Sequence, residues 1–204
     1  MCTAPSASSA WRCCSRCSAA SATGGVTSAV DPGMITRVDG IRPRVDGDLP
    51  ALVEGLAEVA RADGYPSIWP RDPAAWLRAD DLIGGWVALQ AGSVVGQVLL
   101  RRPADDVPAD LWSAATGRDR TECAVIKRLF VVPAARGTGL GRALMTVAGD
   151  TASGLGRHSV LDVTDRNQAA VRLYERLGWT RLGSFEVAFG GAAAPELLHA
   201  FAAP

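Results

Sequence analysis

A glycine-rich segment between an apolar run and a helix-like pattern is the first candidate for chemistry. The segment reads LFVVPAARGTGLGRALM, from Leu129 to Met145, with glycine at positions 137, 139 and 141. A helix N-terminus presents free backbone N–H groups and the positive end of the helix dipole. Glycines let a ligand approach that backbone without Cβ clashes. The pattern therefore predicts an anion site, typically one for phosphate.

The spacing of the glycines distinguishes between kinds of phosphate loop. The Walker loop requires a lysine after its last glycine, and none follows here. The dinucleotide fingerprint G-x-G-x-x-G requires glycine where the chain has Arg142 or Leu144. Only Asp162, at the next strand, fits the acidic residue of a dinucleotide site. The frame that remains is Arg136-x-x-Gly139-x-Gly141.

Two segments, in order and at the usual spacing, resemble one family. The frame just given, with RLFVVP before it and RALM after it, is similar to the acetyl-CoA-binding motif of the GNAT superfamily of N-acetyltransferases. The segment LDVTDRNQAAVRLYERLGW, Leu161 to Trp179, resembles the family's next motif. The resemblance covers about 34–190, and its specificity comes from 129–179. It implies an enzyme that moves an acetyl group from acetyl-CoA to a primary amine by direct transfer in a ternary complex.

The resemblance also implies coenzyme contacts. Backbone amides from Gly137 to Arg142 would hold the pyrophosphate, and the preceding strand would hydrogen-bond the pantetheine arm as an added strand would. Arg136 and Arg142 would either face a phosphate or stay solvated. Asn167 is a good helix N-cap, to which the resemblance adds a coenzyme contact. The implied cofactor-binding residues are Leu129, Phe130, Val131, Arg136, Gly137, Thr138, Gly139, Leu140, Gly141, Arg142 and Asn167.

Tyr174 is the candidate acid. Its spacing from Ala170, Leu173 and Leu177 places it on the buried face of a helix. In the family that the motifs resemble, this hydroxyl points at the coenzyme sulfur. A neutral tyrosine, with a pKa of ~10, can hydrogen-bond or protonate the thiolate that leaves when the amine displaces the thioester.

The base that takes the proton of the amine is harder to place. Many family members carry a glutamate where this chain has Val125, and Glu122 lies three residues earlier, on the opposite face of the strand. Asp162, on the strand bordering the cleft, is the better candidate, with water or a backbone carbonyl as alternatives. Tyr174 and Asp162 are therefore the expected catalytic residues.

Aromatic residues in the first half suggest the acceptor site. Tyr65, Trp69, Trp76 and Trp86 could line a pocket for a cationic or apolar amine, or simply cover the core. His158 and His199 are isolated, so we expect no metal. The acceptor would be a small molecule or a peptide.

Alternating segments predict the elements that position these residues. The hairpin turning at Ala91-Gly92 implies antiparallel strands, and the alternation after it implies parallel ones. We expect an α/β fold with a mixed, mostly antiparallel sheet of about seven strands, helices on both faces and, from the resemblance, a central splayed parallel strand pair. The expected strands are 35–43, 84–90, 93–102, 122–132, 158–164, 180–189 and 196–202, and the expected helices are 48–62 (capped by Asp48), 73–77, 138–153 and 168–177, with a polar loop at 103–120.

Composition limits the remaining choices. The 204 residues carry a formal net charge of +0, which argues against a nucleic-acid surface, and no stretch is apolar for the ~18 residues of a membrane span. Cys123 is the only cysteine of the five that lies outside the first 17 residues, which suits a reducing, cytoplasmic setting. We expect a monomer or homodimer, with no nucleic-acid or membrane partner.

Residues 1–33 have the composition of a disordered tail. We expect this tail to be untranslated, with translation beginning at Met34, or dispensable, and 34–204 to form the domain. Two other functions stay open: a non-catalytic acyl-CoA-binding or sensing module, suggested by Val125, and a nucleotide-binding protein that uses the glycine loop.

Overall fold

The structure is a computed structural model that describes residues 40–189 and 194–204. The expected tail at 1–33 lies outside these residues, as does the first part of the expected strand at 35–43. The strands are β1 Ile41–Pro43, β2 Leu82–Gln90, β3 Ser93–Arg101, β4 Cys123–Val131, β5 His158–Thr164, β6 Thr180–Val187 and β7 Glu196–Ala202, and the helices are α1 Leu49–Asp63, α2 Pro73–Arg78, α3 Val107–Thr116, α4 Leu140–Gly154 and α5 Gln168–Arg176.

The strands form one seven-stranded sheet in the order β1-β2-β3-β4-β5-β7-β6. Only β4 and β5 pair in parallel, and every other neighbouring pair is antiparallel. The expected hairpin is confirmed: β2 and β3 turn at Ala91 and Gly92, whose φ angles of 49° and 82° suit a tight primed turn. The mixed, mostly antiparallel α/β fold is therefore confirmed.

Strand alternation divides the core between the two faces of the sheet. On one face, α4 and α5 cover a large apolar cluster that includes Trp86, Leu144 and Phe201. On the other face, α1 and α2 pack over the β2 end around Leu56 and Leu77, and α3 packs over the far end through Trp112. The two groups of helices on this second face cover different ends of the sheet.

The expected polar loop at 103–120 is wrong, because it contains helix α3. Its proline, Pro108, lies in the first helical turn, where a missing N–H costs nothing, so the proline does not break the helix. Ala109 and Trp112, three residues apart, are buried against the sheet. The acidic and proline-rich composition hid a short amphipathic helix.

Asp48 stands at the start of α1, as expected, but its carboxylate does not cap the helix. It accepts hydrogen bonds from the Val45 N–H at 2.8 Å and from the Arg42 guanidinium at 2.6 and 2.7 Å. Asp48 thus fixes the chain between β1 and α1. Helix α2 does have a side-chain cap, since Asp72 accepts from the Ala75 N–H at 2.9 Å.

The central strands separate along their length. The parallel ladder runs from Cys123↔His158 to Ile126↔Leu161 and then stops, although both strands continue. Just beyond it, the β3–β4 register shifts, and Arg128 takes a left-handed φ of 53°, which marks a bulge in β4. The bulge and the end of the ladder open a cleft between β4 and β5.

Candidate active site

The glycine loop forms an exposed N-terminus for helix α4. Gly139 is the N-cap, with φ at 88°, and Gly137 has φ at 76°, so both adopt a left-handed backbone that strains other residues. A Cβ at either position would meet nothing within 4 Å, so the glycines serve the backbone conformation and leave open space above it. The N–H groups of the first helical turn have no acceptor inside the helix. The loop can therefore hold an anion.

Arg136 fixes the loop to the rest of the domain. Its Nε donates to the Val131 carbonyl at 3.1 Å, and its guanidinium forms a two-pronged ion pair with Asp63, at the end of α1. Thr138 donates its hydroxyl to the Ala135 carbonyl at 2.7 Å. Arg142, by contrast, is exposed on the first turn of α4. Of the two arginines, Arg142 is thus the one whose charge stands beside the loop N–H groups.

The strand before the loop has one free edge. Val131 and Phe130 pair with β3, but no residue of β4 beyond Ile126 pairs with β5. Phe130 is buried against α1, whereas Leu129 and Val131 pack against the α4 face. The backbone of these three residues can therefore hydrogen-bond an extended ligand on the β5 side.

Two predicted residues of α5 lie where their spacing indicated. Asn167 caps the helix, its side-chain oxygen accepting from the Ala170 N–H at 3.1 Å. Tyr174 is buried and packs against Trp179 and Phe201, with ring centroids 5.9 and 5.8 Å apart. Burial, reinforced by the negative charge of Asp162, raises the pKa of Tyr174 well above its usual value. The phenol stays neutral and can donate a proton.

Asp162 lies on β5 directly after the last ladder pair, and it is not alone. The ammonium of Lys127 donates to its carboxylate and also lies 3.1 Å from Asp106, just before α3. Burial works against the charge on Lys127, but the two carboxylates outweigh it and raise the pKa of the ammonium. Sequence reasoning missed this pair, although a lysine that follows four apolar residues in the strand was a signal.

The other candidates for a base or nucleophile are occupied or apolar. Val125 is fully buried beneath α3. Glu122 lies in the turn before β4, where it pairs with Arg118 at 2.7 Å and accepts from the Asp119 N–H. Cys123 is buried, and burial raises the pKa of its thiol to about 11. A protonated thiol is a poor nucleophile.

The structure separates the four predicted acceptor-site aromatics. Tyr65 and Trp76 meet edge to face, with ring centroids 6.1 Å apart. Trp69 is half exposed and lines a surface pocket with Ala57 and Ala60 of α1. Trp86 is buried on the opposite face of the sheet, under α4. Only Tyr65 and Trp76 thus lie together on the face that carries Lys127.

Both histidines have hydrogen-bonded structural positions. His199 is buried in β7 and links the Ser184 hydroxyl, 2.8 Å from Nδ1, to Asp165, 2.8 Å from Nε2. His158 stacks on Trp112 and lies 3.0 Å from the Ala203 carbonyl. Within 40–189 and 194–204, no group of three or more potential ligands could hold a metal ion. No helix in that part of the chain is long and apolar enough to span a membrane.

The chain belongs to the acetyltransferase (GNAT) family, whose model matches residues 51–179, well over half of the sequence. The family that the two motifs resembled is thereby confirmed. Among curated proteins, no relative matches the chain.

Solved structures share the fold. yncA from Salmonella typhimurium, whose structure contains acetyl-CoA, is 24% identical, with 79% of this chain and 91% of that chain covered and a TM-score of 0.59. NAA60 from Arabidopsis thaliana, in complex with acetyl-CoA, is 21% identical, with 79% and 96% covered and a TM-score of 0.60. A GCN5-related N-acetyltransferase from Kribbella flavida is 23% identical, with 80% and 96% covered and a TM-score of 0.57.

Proposed function

We propose that the protein transfers an acetyl group from acetyl-CoA to a primary amine, directly and within a ternary complex. The observation that carries the proposal is the glycine loop at the N-terminus of α4, which follows the strand whose edge is freed where β4 and β5 stop pairing. An anion site and an open strand edge, joined in sequence, suit a ligand with a pyrophosphate followed by an amide-containing arm. Family membership supports the same reading.

The coenzyme would lie along residues that the sequence named. The N–H groups from Gly137 to Arg142 would bind the pyrophosphate, and the backbone of Leu129 to Val131 would bind the pantetheine arm. Thr138 and Leu140 would contribute through the loop backbone, because the Thr138 hydroxyl is already bonded to Ala135. Arg136 would act by holding the loop against Asp63, and Asn167 by orienting α5 at the cleft.

The chemistry would need one acid and one base. The amine nitrogen attacks the thioester carbonyl, a C–N bond forms, and the C–S bond breaks with the electron pair leaving on sulfur. Tyr174, held neutral by burial, would protonate that thiolate. Asp162 would accept the proton of the amine, directly or through water, while Lys127 holds its carboxylate in place. The buried Cys123 thiol gives no support to a covalent enzyme intermediate.

A non-catalytic acyl-CoA sensor is the second candidate, because apolar Val125 stands where many family members have glutamate. Nucleotide binding through the glycine loop is the third, and the failed dinucleotide spacing disfavours it. A cytoplasmic location and a monomeric or homodimeric state stay predictions. So does a tail at 1–33 that is either untranslated or dispensable for the domain at 34–204.

Calorimetric titration and a thiol-release assay test the three functions together. Acetyl-CoA, ATP and NAD are titrated separately into the full chain, and free thiol is then followed with acetyl-CoA and a panel of primary amines. Acetyl-CoA binding with amine-dependent thiol release supports the transferase. Binding without release supports the sensor, and binding of ATP or NAD alone supports the nucleotide site.

A further inference from the structure

Arg128 occupies an unusual position in the cleft. It lies at the bulge of β4 with φ at 53°, a conformation that costs energy for any residue with a Cβ. Its guanidinium stacks on Trp76, with Cζ 4.4 Å from the ring centroid. The Nη1 atom is buried and has no hydrogen-bond partner in the part of the chain that the structure describes. Unsatisfied buried donors are rare and call for a physical explanation.

Neighbouring groups make this corner of the cleft cationic. Burial, and then the positive charges of Arg101 and Arg44, lower the pKa of Arg128 to about 10, with Tyr65 and Asp80 working the other way. Arg128 is still charged at neutral pH. Arg44 is already committed to the carbonyls of Leu77 and Arg78, and Arg101 to the carbonyl of Asp80. None of the ion pairs among the described residues includes Arg128, so its positive charge has no bonded counter-ion there.

A second buried donor lies on the adjacent strand. Gln97 is fully buried on β3, opposite Phe130, and its Oε1 accepts from Arg44 at 3.3 Å. Its Nε2, like Nη1 of Arg128, has no partner within the described residues. Each of these two donors, on neighbouring strands, would gain a hydrogen bond from an anion that reached it.

The stacking geometry leaves the N–H edge of Arg128 available, and a carboxylate is one anion that this edge binds. Trp76 covers one face of the guanidinium, so a ligand meets its N–H edge, which matches the two oxygens of a carboxylate. Because Arg128 already occupies that ring face, Trp76 is poorly placed to hold a cationic amine. Tyr65 packs edge to face on Trp76, and burial raises the pKa of its phenol, against the opposing charge of Arg128. Arg128 directly follows Lys127 on β4, and Lys127 bonds the proposed base Asp162, so the anion site lies one residue along the strand from that ion pair.

We propose that Arg128 binds a carboxylate on the acceptor, so that the substrate class is amines that carry their own carboxylate, as amino acids do. The inference rests on the proposed acetyl transfer, because that reaction is what makes the bound amine an acceptor. Gln97 would donate to the same carboxylate, and Tyr65 would cover the carbon skeleton. Amines with a second positive charge would be disfavoured by repulsion from Arg128, Arg44 and Arg101.

The kinetic test compares matched acceptors. Each proteinogenic amino acid, its carboxamide and its decarboxylated amine are assayed for thiol release with acetyl-CoA. For the best amino acid, we expect kcat/KM to exceed that of its amide and its amine by about 10- to 100-fold, since a neutral group leaves the guanidinium unpaired. Arg128→Met should remove the preference for the carboxylate, and Arg128→Lys should retain part of it. Arg102→Met is the control, because Arg102 is exposed and follows Arg101 in the sequence, and this variant should keep the preference. Equal or greater turnover of amides or amines overturns the proposal.

A binding test separates this inference from the proposed function. N-acetylated amino acids and their amides are titrated into the CoA-bound protein, whether or not turnover is seen. Binding of the carboxylate about 10-fold or more tighter than the amide, lost in Arg128→Met but not in Arg102→Met, supports the anion site even if no acetyl transfer occurs. Equal affinity of carboxylate and amide, or no binding of either, overturns it even if the enzyme acetylates some other amine. Unchanged acetyl-CoA affinity shows that Arg128→Met is folded.

Discussion

Lys127 donates a hydrogen bond to Asp162 at the point where β4 and β5 cease to pair. Ile126↔Leu161 is the last pair of the ladder, and these two charged residues follow it on the two strands. Asp106, 3.1 Å from the same ammonium, ties the pair to α3. The ion pair thus stands at the apex of the cleft, and its carboxylate is the one proposed as the base.

Lys127→Met should destabilise the domain by about 1–3 kcal/mol at neutral pH, because it leaves two carboxylates facing each other without a counter-charge. Burial alone would raise the pKa of Asp106, but Lys127 and the Ala104 N–H lower it overall. A lowered folded pKa means stability that is present above the unfolded value and lost as pH falls through the folded one. The difference between wild type and Lys127→Met in urea unfolding should therefore shrink as pH drops below about 4.

Arg118→Met is the control for that measurement, because Arg118 pairs with Glu122 on the exposed surface. It should cost less than about 1 kcal/mol. A Lys127→Met variant as stable as Arg118→Met at neutral pH would contradict the role given to Lys127.

Tyr174→Phe should lower kcat for acetyl transfer by about 10- to 100-fold, because it removes the proposed proton donor to the leaving thiolate. The affinity for acetyl-CoA should stay the same, since the ring still packs on Trp179 and Phe201. Because the pKa of Tyr174 is raised, no loss of activity from its ionisation is expected up to about pH 10. Steady-state kinetics across pH, with calorimetry for the coenzyme, make the check; unchanged kcat would remove Tyr174 from the mechanism.

Gly139→Ala should weaken acetyl-CoA binding about 10-fold or more, because the side chain strains the left-handed N-cap and faces the space where the pyrophosphate would lie. Gly92→Ala is a matched control: Gly92 has φ at 82°, open space around its Cβ position and a place in the β2–β3 hairpin. Both variants should lose about 1 kcal/mol of stability or slightly more. Equal coenzyme affinities of the two variants would argue against the loop as the pyrophosphate site.

His199→Leu should destabilise the domain by about 1–3 kcal/mol, because it breaks the chain of hydrogen bonds that joins Ser184 of β6 to Asp165, just after β5. Asp165 precedes the Asn167 cap of α5, so the coenzyme affinity should fall as well. Ser184→Ala should cost less, since it leaves the bond from His199 to Asp165 in place. Thermal unfolding and calorimetry measure both effects, and a fully stable His199→Leu would show that the chain of bonds adds nothing.

Most of the correct predictions came from patterns within short stretches of the sequence. The strands 158–164 and 196–202 and the N-cap at Asn167 were predicted because each depends on a few adjacent residues. The conformation of the glycine loop likewise depends on residues within the motif itself, so the motif was enough to predict it. Helix α3 was missed because its first turn contains a proline and an acidic residue, a composition that is also typical of loops.

Contacts between residues that are far apart in the sequence could not be predicted. Lys127 and Asp162 are 35 residues apart and meet only because the ladder stops after Ile126. Arg128 stacks on Trp76 at a bulge in β4, and no local sequence pattern predicts that bulge. The faces of Trp76 and Trp86 could not be compared without knowing which helix covers which side.

Mass analysis of products tests the central claim most directly. The full chain is incubated with acetyl-CoA labelled with heavy carbon in the acetyl group and, in separate reactions, with a mixture of amino acids or a panel of primary amines that lack a carboxylate. Both free CoA and labelled N-acetyl products are quantified. The account predicts labelled product and free CoA in equal amounts, both depending on the protein and on an amine. Tight binding of acetyl-CoA with no labelled product above the protein-free rate for any primary amine, carboxylated or not, would contradict it.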